Sequence, residues 1–413
     1  MSVTLRPFQH YSTNELLNLL LVSKVSTYPS LLQNTDTLMN LSSSLIGRQP
    51  TSFYVGKLIG NVFSAGESLS HLKSTLKQLS SINQGIVIDY CAEGVTSESG
   101  MDETVLQIEN AIELSSQYSN SAVGIKLTSL IPEKTLRKLN RLQQDQTSSI
   151  ESLWGESVFF SLSENTLRES GFSQTEISET FNGIKRIRKI CKDCEVFGVS
   201  VMIDAEQSYF QFAIDGISAL VQKEFNSNRA VVLNTIQSYL VNSSDKLKGY
   251  LAWSSQHQLK PGVKLVRGAY LREENSLAHL GNYESPIHRS RQETDSCYNY
   301  NLKQTLSHLP ENSSVCVASH NKESIYYAKE LMNENRVHRL YGGVRFAQLL
   351  GMKTMISSYL THENYVVQKY TPYGPFDKLM PYLGRRAQEM CDMISEIDNQ
   401  IELVLQELKI RGN

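Results

Sequence analysis

Hydrophobic residues follow two different patterns along the 413-residue chain. Up to about residue 84 they recur every three or four positions, as in Ser68–Ser81, which is typical of amphipathic helices. Segments of loop composition interrupt this pattern at Thr27–Thr37 and Leu41–Ser52. From Gly85 onward, short β-rich runs appear, each followed by a polar or helical connection. We therefore predict a helical N-terminal region, residues 1–84, and an α/β domain, residues 85–413.

Eight short apolar runs predict the strands of this second region. They are Ile86–Tyr90, Val123–Thr128, Val196–Asp204, Ala230–Thr235, Val263–Tyr270, Val315–Ser319, Gly343–Phe346 and Tyr365–Tyr370. Strands that alternate with helices indicate parallel βαβ units, and eight such units favour a closed (βα)8 TIM-like barrel. The long interval Pro132–Cys194 must hold more than one helix. An open doubly wound sheet is the alternative, but no G-x-G-x-x-G fingerprint follows any of the strands.

Composition narrows the function classes. The chain is 40% hydrophobic and 20% charged, with a formal net charge of -2, so charge gives no case for a nucleic-acid partner. The most apolar stretch, Leu16–Val22, is too short to cross a bilayer. Cys191 and Cys194 form a lone C-x-x-C, which favours reduced structural thiols over a zinc site. Arg6 and His10, with no acidic residue before Glu15, are at best a weak hint of a mitochondrial presequence.

Polar residues stand where the predicted strands end. In a (βα)8 barrel the chemistry lies at that end. Each residue alone is explained equally well as a helix cap or a local ion pair. Their joint occurrence at one barrel end points to a functional face, comprising Asp89, Glu93, Lys126, Asp204, Glu206, Gln237, Arg267, Tyr270, His320, Asn321, Gln348 and Tyr370.

A second candidate lies near the C-terminus. If Tyr382–Glu389 is helical, then Tyr382, Arg385, Arg386 and Glu389 share one face, because they are spaced at i, i+3, i+4 and i+7. Two adjacent guanidiniums can hold a carboxylate or a phosphate in a bidentate manner. An aromatic ring one turn earlier can cover an apolar ring of a ligand. A solvated charged face is the alternative.

Several segments together resemble the proline dehydrogenases, in particular the eukaryotic mitochondrial type. The resemblance extends over most of the chain, including the N-terminal Phe63-Ser-Ala-Gly-Glu67. The matching segments are Gly124-Ile-Lys-Leu-Thr128, Ile203-Asp-Ala-Glu206, Asn234-Thr-Ile-Gln-Ser-Tyr-Leu240, Lys264-Leu-Val-Arg-Gly-Ala-Tyr270, Ala318-Ser-His-Asn321, Gln348-Leu-Leu-Gly-Met352, Tyr370-Thr-Pro-Tyr-Gly-Pro375 and Tyr382-Leu-Gly-Arg-Arg-Ala-Gln-Glu389.

The resemblance implies FAD-dependent oxidation of L-proline to Δ1-pyrroline-5-carboxylate by hydride transfer, with noncovalent FAD, no metal and electrons passed to a quinone. Arg385 and Arg386 match the pair that holds the proline carboxylate. The other catalytic positions implied are Lys126, Asp204, Tyr270, Leu349, Tyr370 and Tyr382. Cofactor-binding positions implied are Gln237, Lys264, Val266, Arg267, Gly268, Ser319, His320, Asn321 and Glu389.

Departures from the family pattern keep alternatives open. Lys264 and Arg267 are exchanged relative to many bacterial members, and Met390 replaces a usual asparagine. The same scaffold could take hydroxyproline. A barrel aldolase would instead use Lys126 or Lys264 as a Schiff base, and a third alternative is a non-catalytic scaffold. The resemblance implies a mitochondrial location, peripheral to the matrix side of the inner membrane. Ile401–Ile410 is the candidate membrane contact, with packing on the barrel as the favoured alternative.

Overall fold

The computed structural model describes residues 6–26, 60–307, 309–339, 343–391 and 394–412; the side chains of 387–396 are outside this description. The predicted loops at 27–37 and 41–52 lie outside the described residues.

Eight strands close into a barrel in the order β1-β2-β3-β4-β5-β6-β7-β8. Pairing is parallel from β2 to β7, with Ile125 opposite Ile203 and Gln237 opposite Val266. The predicted TIM-like barrel is therefore confirmed. The strands are β1 Gly85–Tyr90, β2 Ala122–Ile125, β3 Ser200–Ile203, β4 Val232–Gln237, β5 Gly262–Val266, β6 Ser314–Ala318, β7 Val344–Leu349 and β8 Val367–Tyr373.

Helices precede, connect and follow the strands. They are α1 Thr13–Ser26, α2 Asn61–Phe63, α3 Leu69–Ser80, α4 Glu98–Ser115, α5 Glu133–Gln146, α6 Glu164–Glu169, α7 Gln174–Phe197, α8 Ser208–Phe225, α9 Ser243–Gln256, α10 Leu271–Gly281, α11 Arg291–Ser307, α12 Lys322–Glu334, α13 Thr354–His362, α14 Phe376–Cys391 and α15 Ile394–Ile410. Three of them (α5, α6 and α7) fall within the long interval before β3, as predicted.

The clearest error in the strand predictions is at the start of β3. Val196 and Phe197 belong to the last turn of α7, and Val196 is 68% exposed. A capping box at Ser173 and Glu176 begins this helix, and Gly198 ends it in the left-handed region at φ 71°. These capping residues set the two ends of the helix. The prediction that its last two apolar residues begin a strand is therefore wrong.

Two other strands are shorter than predicted. β5 ends at Val266 because Gly268, at φ +143°, turns the chain away. β2 ends at Ile125, and Leu127–Ser129 forms a turn of 3-10 helix. Because both strands end early, the polar residues that follow them lie in loops at the C-terminal end of the barrel strands.

The described chain divides into two compact units. The terminal unit comprises Met1–Cys91, Gln348–Glu363 and Lys369–Asn413, and the central unit comprises Ala92–Ala347 and Asn364–Gln368. The boundary expected after residue 84 stays a prediction. The core of the terminal unit includes Phe8, Leu16, Tyr382, Val404 and Leu408.

This packing bears on the proposed membrane stripe of α15. Val404 and Leu408 are buried in the core of the terminal unit, whereas Leu405 is 45% exposed. Most of the stripe is therefore used within the fold, which favours the packing alternative. No helix in the described ranges is long and apolar enough to cross a membrane.

The C-x-x-C pair lies inside α7. Cys191 and Cys194 are both buried and free. Burial raises the pKa of both thiols well above the ordinary value. A thiol with a raised pKa is a poor nucleophile and a poor metal ligand, in agreement with the structural role expected for this pair.

Candidate active site

A shared carboxylate joins two lysines at the strand ends of the central unit. Asp204 follows β3, and its Oδ2 lies 3.2 Å from Nζ of Lys126, which follows β2. Its Oδ1 accepts a hydrogen bond from Nζ of Lys264, in β5. All three side chains are at least 88% buried, so the carboxylate compensates the lysines where water does so poorly. The structure thus brings together three residues predicted from the sequence.

Glu206, two residues after Asp204, is fixed by Thr128. Its carboxylate accepts hydrogen bonds from the Thr128 backbone N–H at 3.1 Å and from the Thr128 hydroxyl at 2.6 Å. Burial raises the pKa of Glu206 to about 7, although the hydrogen bonds and Lys126 act in the opposite direction. Sequence reasoning placed Glu206 at a strand end without assigning it a role. Its signal was the acid two residues after the strand.

Gln237, the last residue of β4, is oriented by the same loop. Its Nε2 donates to the Glu206 carbonyl oxygen at 2.9 Å, and the side chain is buried. We refer to Lys126, Asp204, Glu206, Gln237 and Lys264 as the strand-end cluster. The cluster contains ammonium and amide donors, and its members contact one another and the adjacent Thr128.

Arg267 organises the neighbouring strand ends. Its Nε donates to Asp295 at 2.7 Å, and its other two nitrogens donate to the hydroxyls of Ser319 at 2.9 Å and Ser324 at 3.0 Å. The guanidinium carbon also lies 4.4 Å from the centroid of the Tyr298 ring. The predicted residues Arg267 and Ser319 are therefore in contact.

The residues flanking Arg267 are placed by the turn after β5. Val266 is half-buried, and Tyr270 precedes the first turn of α10. A Cβ on Gly268 would lie 2.5 Å from the Tyr239 ring, so only glycine suits this turn. The turn therefore directs Arg267 and Tyr270 to their positions.

After β6, Asn321 acts as a helix cap. Its side chain accepts from the Ser324 backbone N–H at 3.0 Å, and its own N–H donates to the Ser319 hydroxyl at 3.1 Å. His320, between them, is half-buried. The capping interpretation weighed from the sequence thus accounts for the Asn321 side-chain oxygen.

The arginine helix, α14, carries the second candidate. Tyr382 and Arg386 are buried, with 6% and 5% exposure, and Arg385 is half-buried. The Arg386 guanidinium carbon lies 4.9 Å from the centroid of the Tyr382 ring. The helical spacing that placed these residues on one face is confirmed, and the alternative of a solvated face does not hold for Arg386. The side chain of Glu389 lies outside the described residues.

Leu349 and Tyr370 lie in the same unit as the arginine helix. Leu349, at the end of β7, packs against the apolar cluster that contains Tyr382. Tyr370, in β8, is half-buried, and its carbonyl oxygen accepts from the Leu350 N–H at 2.9 Å. Leu349 and Tyr382 therefore belong to one apolar cluster, with Leu349 partly buried at its edge.

The terminal unit also contains a buried lysine that was not predicted from the sequence. Lys369, in β8, is 2% exposed and donates to the Met352 carbonyl oxygen at 2.8 Å. Burial lowers the pKa of Lys369 to about 7. A lysine within the run Tyr365–Tyr370 was the available signal.

Comparison with known proteins identifies the family to which the chain is similar. The family model described as proline dehydrogenase matches residues 72–398. Proline dehydrogenase 1, mitochondrial, of Dictyostelium discoideum is 29% identical over 97% of this chain and 73% of that protein. Hydroxyproline dehydrogenase of Xenopus laevis is 29% identical over 98% of this chain and 88% of that protein. Proline dehydrogenase 2, mitochondrial, of Arabidopsis thaliana is 31% identical over 78% of this chain and 70% of that protein.

Solved structures support the fold. Proline utilization A from Bdellovibrio bacteriovorus aligns with a TM-score of 0.66 at 18% identity, over 91% of this chain. The alignment spans 37% of that longer protein. The family model matches most of the chain, and the barrel fold agrees with this solved structure. The chain therefore belongs to the proline dehydrogenase family.

Proposed function

We propose that this protein oxidises L-proline to Δ1-pyrroline-5-carboxylate using noncovalently bound FAD and passes the electrons to a quinone. The observation that carries this proposal is the Lys126–Asp204–Lys264 arrangement at adjacent strand ends, in a chain of the proline dehydrogenase family. The arrangement provides fixed cationic donors without an evident metal-ligand set or nucleophile.

The donor set at the strand ends fits FAD. Bound FAD would supply the hydride acceptor for oxidation of the substrate ring. The amide of Gln237 and the ammonium of Lys264 are donors of the kind that withdraw electron density from an electron-accepting ring. Arg267, already braced by Ser319 and Asp295, supplies a cation suited to a pyrophosphate. We also assign His320, Asn321 and Glu389 to the cofactor, by family resemblance.

The arginine helix suits the substrate. We propose that Arg385 and Arg386 hold the proline carboxylate, because adjacent guanidiniums can bind it in a bidentate manner. Tyr382, Tyr370 and Leu349 would enclose the pyrrolidine ring. Burial of Arg386 over the Tyr382 ring supports this assignment, since it limits the rotamers that the guanidinium can adopt.

A Schiff-base aldolase is disfavoured by the same geometry. Lys126 and Lys264 both contact the Asp204 carboxylate. Attack on a carbonyl needs an amine nitrogen that is directed at the substrate, whereas both Nζ atoms are directed at this carboxylate. Neither lysine is therefore arranged as a nucleophile.

Hydroxyproline is the second candidate substrate. A relative named hydroxyproline dehydrogenase matches 98% of this chain at 29% identity, equal to the identity of the Dictyostelium proline dehydrogenase. Comparing kcat/KM for L-proline and 4-hydroxyproline on one preparation decides between them. A ratio that favours hydroxyproline would replace the proposed substrate and leave the chemistry unchanged.

We propose a mitochondrial location with peripheral contact to the membrane that holds the quinone. Two of the relatives compared carry the word mitochondrial in their names. The exposed Leu405 and Ile410 of α15 are the apolar side chains available for such contact. Cell fractionation with a carbonate wash tests both points, since a peripheral protein is released and an integral one is not.

The experiment that tests the function uses the purified protein under anaerobic conditions. A yellow protein whose colour bleaches with L-proline, and whose flavin is released intact by denaturation, supports the proposal. A colourless protein that borohydride traps with a carbonyl substrate would support the aldolase instead. Flavin retained on the denatured chain would contradict noncovalent binding.

A further inference from the structure

A chain of hydrogen bonds runs behind the strand-end cluster. Lys246 Nζ, on α9, lies 2.5 Å from Oδ2 of Asp215, on α8. Oδ1 of Asp215 accepts from Gln211 Nε2 at 2.8 Å, one turn earlier on α8. The Gln211 Oε1 then accepts from the backbone N–H of Glu206 at 3.1 Å. The chain therefore leads from a buried ion pair to the loop that carries Asp204 and Glu206.

The loop that carries Asp204 and Glu206 is fixed by hydrogen bonds to every polar group of Glu206. Its N–H donates to Gln211, and its carbonyl accepts from Gln237. Its carboxylate accepts from the backbone and the hydroxyl of Thr128. Because Asp204 stands only two residues earlier, the position of residue 206 also limits where the Asp204 carboxylate can lie.

Asp215 determines which way the Gln211 amide points. A carboxylate only accepts hydrogen bonds, so the NH2 group of Gln211 must face Asp215 and its oxygen must face Glu206. Asp215 is in turn fixed by Lys246 and by Asn234 Nδ2, at 2.9 Å. Asp215, Gln211 and Lys246 are all buried, at 0%, 3% and 5% exposure. A buried ion pair contributes little net stability, which directs attention to the orientation that it imposes.

We propose that Gln211 is a positioning residue: backed by Asp215, it fixes the loop 204–207 and so sets the geometry of Asp204 and of the Gln237 amide. The inference rests on the proposed function for its catalytic meaning, because Asp204 and Gln237 are assigned there to the reaction and the cofactor. It concerns the conformation of the loop in its own right.

The same helix provides a matched control. Gln222 is also buried, at 1% exposure, and lies eleven residues after Gln211 on the same face of α8. Its Nε2 donates to the carbonyl oxygens of Val232 and Gly262, the first residues of β4 and β5. Gln222 therefore braces the opposite end of the barrel, where contacts serve stability.

Amide hydrogen exchange on Gln211→Met and Gln222→Met tests the conformational claim. We expect exchange in the segment 204–207 to accelerate by roughly tenfold in Gln211→Met, because the Glu206 N–H loses its acceptor. In Gln222→Met this segment should exchange as in the wild type. Should Gln211→Met fail to fold, Gln211→Ser, which admits water to the site, replaces it. Equal exchange of the segment in both variants would overturn the inference.

A second measurement links the loop to function. Titration of apoprotein with FAD should show a dissociation constant about three- to tenfold higher for Gln211→Met and within about twofold of wild type for Gln222→Met. The kcat with L-proline should fall in Gln211→Met while KM changes little, because the arginine helix is untouched. If the wild type neither binds FAD nor oxidises proline, the proposed function fails, and exchange alone decides the positioning claim. If the wild type does both and the two variants behave alike, the positioning claim fails.

Discussion

Lysines are buried in both compact units, and the two units accommodate them differently. In the central unit, Lys126 and Lys264 share the Asp204 carboxylate. In the terminal unit, Lys369 donates to the carbonyl of Met352, and within the described residues no ion pair with a carboxylate involves it. Burial lowers the pKa of Lys369 to about 7, so it exchanges its proton near neutral pH.

The difference teaches what each lysine can do. A shared carboxylate fixes the positions of two lysine side chains, which suits a platform that binds an electron-accepting ring. A lysine held by a neutral carbonyl is a costly structural contact and a poor permanent cation. We therefore assign Lys126 and Lys264 to the chemistry and Lys369 to the fold.

The largest expected effect comes from Asp204→Asn. Removing the charge leaves two buried ammoniums without their shared partner, which should cost about 3–5 kcal/mol of unfolding free energy. Urea unfolding at pH 7 measures it. Adding Lys264→Met should restore much of the stability without restoring activity. A single variant as stable as the wild type would show that the cluster is not charge-compensated by Asp204.

Lys369→Met tests the buried lysine of the terminal unit, which donates to a backbone carbonyl. Between the folded pKa of about 7 and the ordinary value of 10.5, the folded protein binds fewer protons than the unfolded chain. Wild-type stability should therefore rise with pH across this window, by roughly 2–4 kcal/mol. The variant should lack this rise and be more stable than the wild type at pH 7. Urea unfolding at several pH values checks this, and parallel curves for both proteins would contradict it.

The arginine helix distinguishes binding from folding. Arg385→Met or Arg386→Met should lower kcat/KM for L-proline roughly ten- to a hundredfold, because each charge-assisted contact is worth about 1.5–3 kcal/mol. Flavin content should persist, since the pair serves the substrate. Arg386→Lys should not rescue fully, because an ammonium lacks the planar fork. Wild-type kinetics in both methionine variants would show that the substrate carboxylate binds elsewhere.

The smallest effect concerns Gly384, which lies within the arginine helix. A Cβ added there meets no atom within 4 Å. Gly384→Ala should raise the unfolding free energy by about 1 kcal/mol, because alanine loses less backbone entropy in a helix. Thermal unfolding measures the gain. A loss of proline affinity without a change in stability would instead place this position against the substrate.

The sequence predicted most strands because their apolar runs are short and are buried on both sides. It extended β3 wrongly because Val196 and Phe197 look like strand residues although helix-end signals surround them. The chain from Lys246 to Glu206 could not be predicted, because hydrogen bonds between a helix and a loop leave no spacing pattern. The partner of a buried lysine could not be predicted either. Lys264 and Lys369 both lie in apolar strands, and only the structure shows that Lys264 contacts a carboxylate and Lys369 a backbone carbonyl.

The rate of anaerobic flavin reduction by L-proline compares two buried lysines in one measurement. Lys126→Met removes a member of the strand-end cluster, and Lys369→Met removes the lysine assigned to the fold. We predict that Lys126→Met slows flavin reduction by at least about tenfold, while Lys369→Met reduces flavin at the wild-type rate. Equal rates in the two variants, or slowing confined to Lys369→Met, would contradict the assignment of the chemistry to the strand-end cluster.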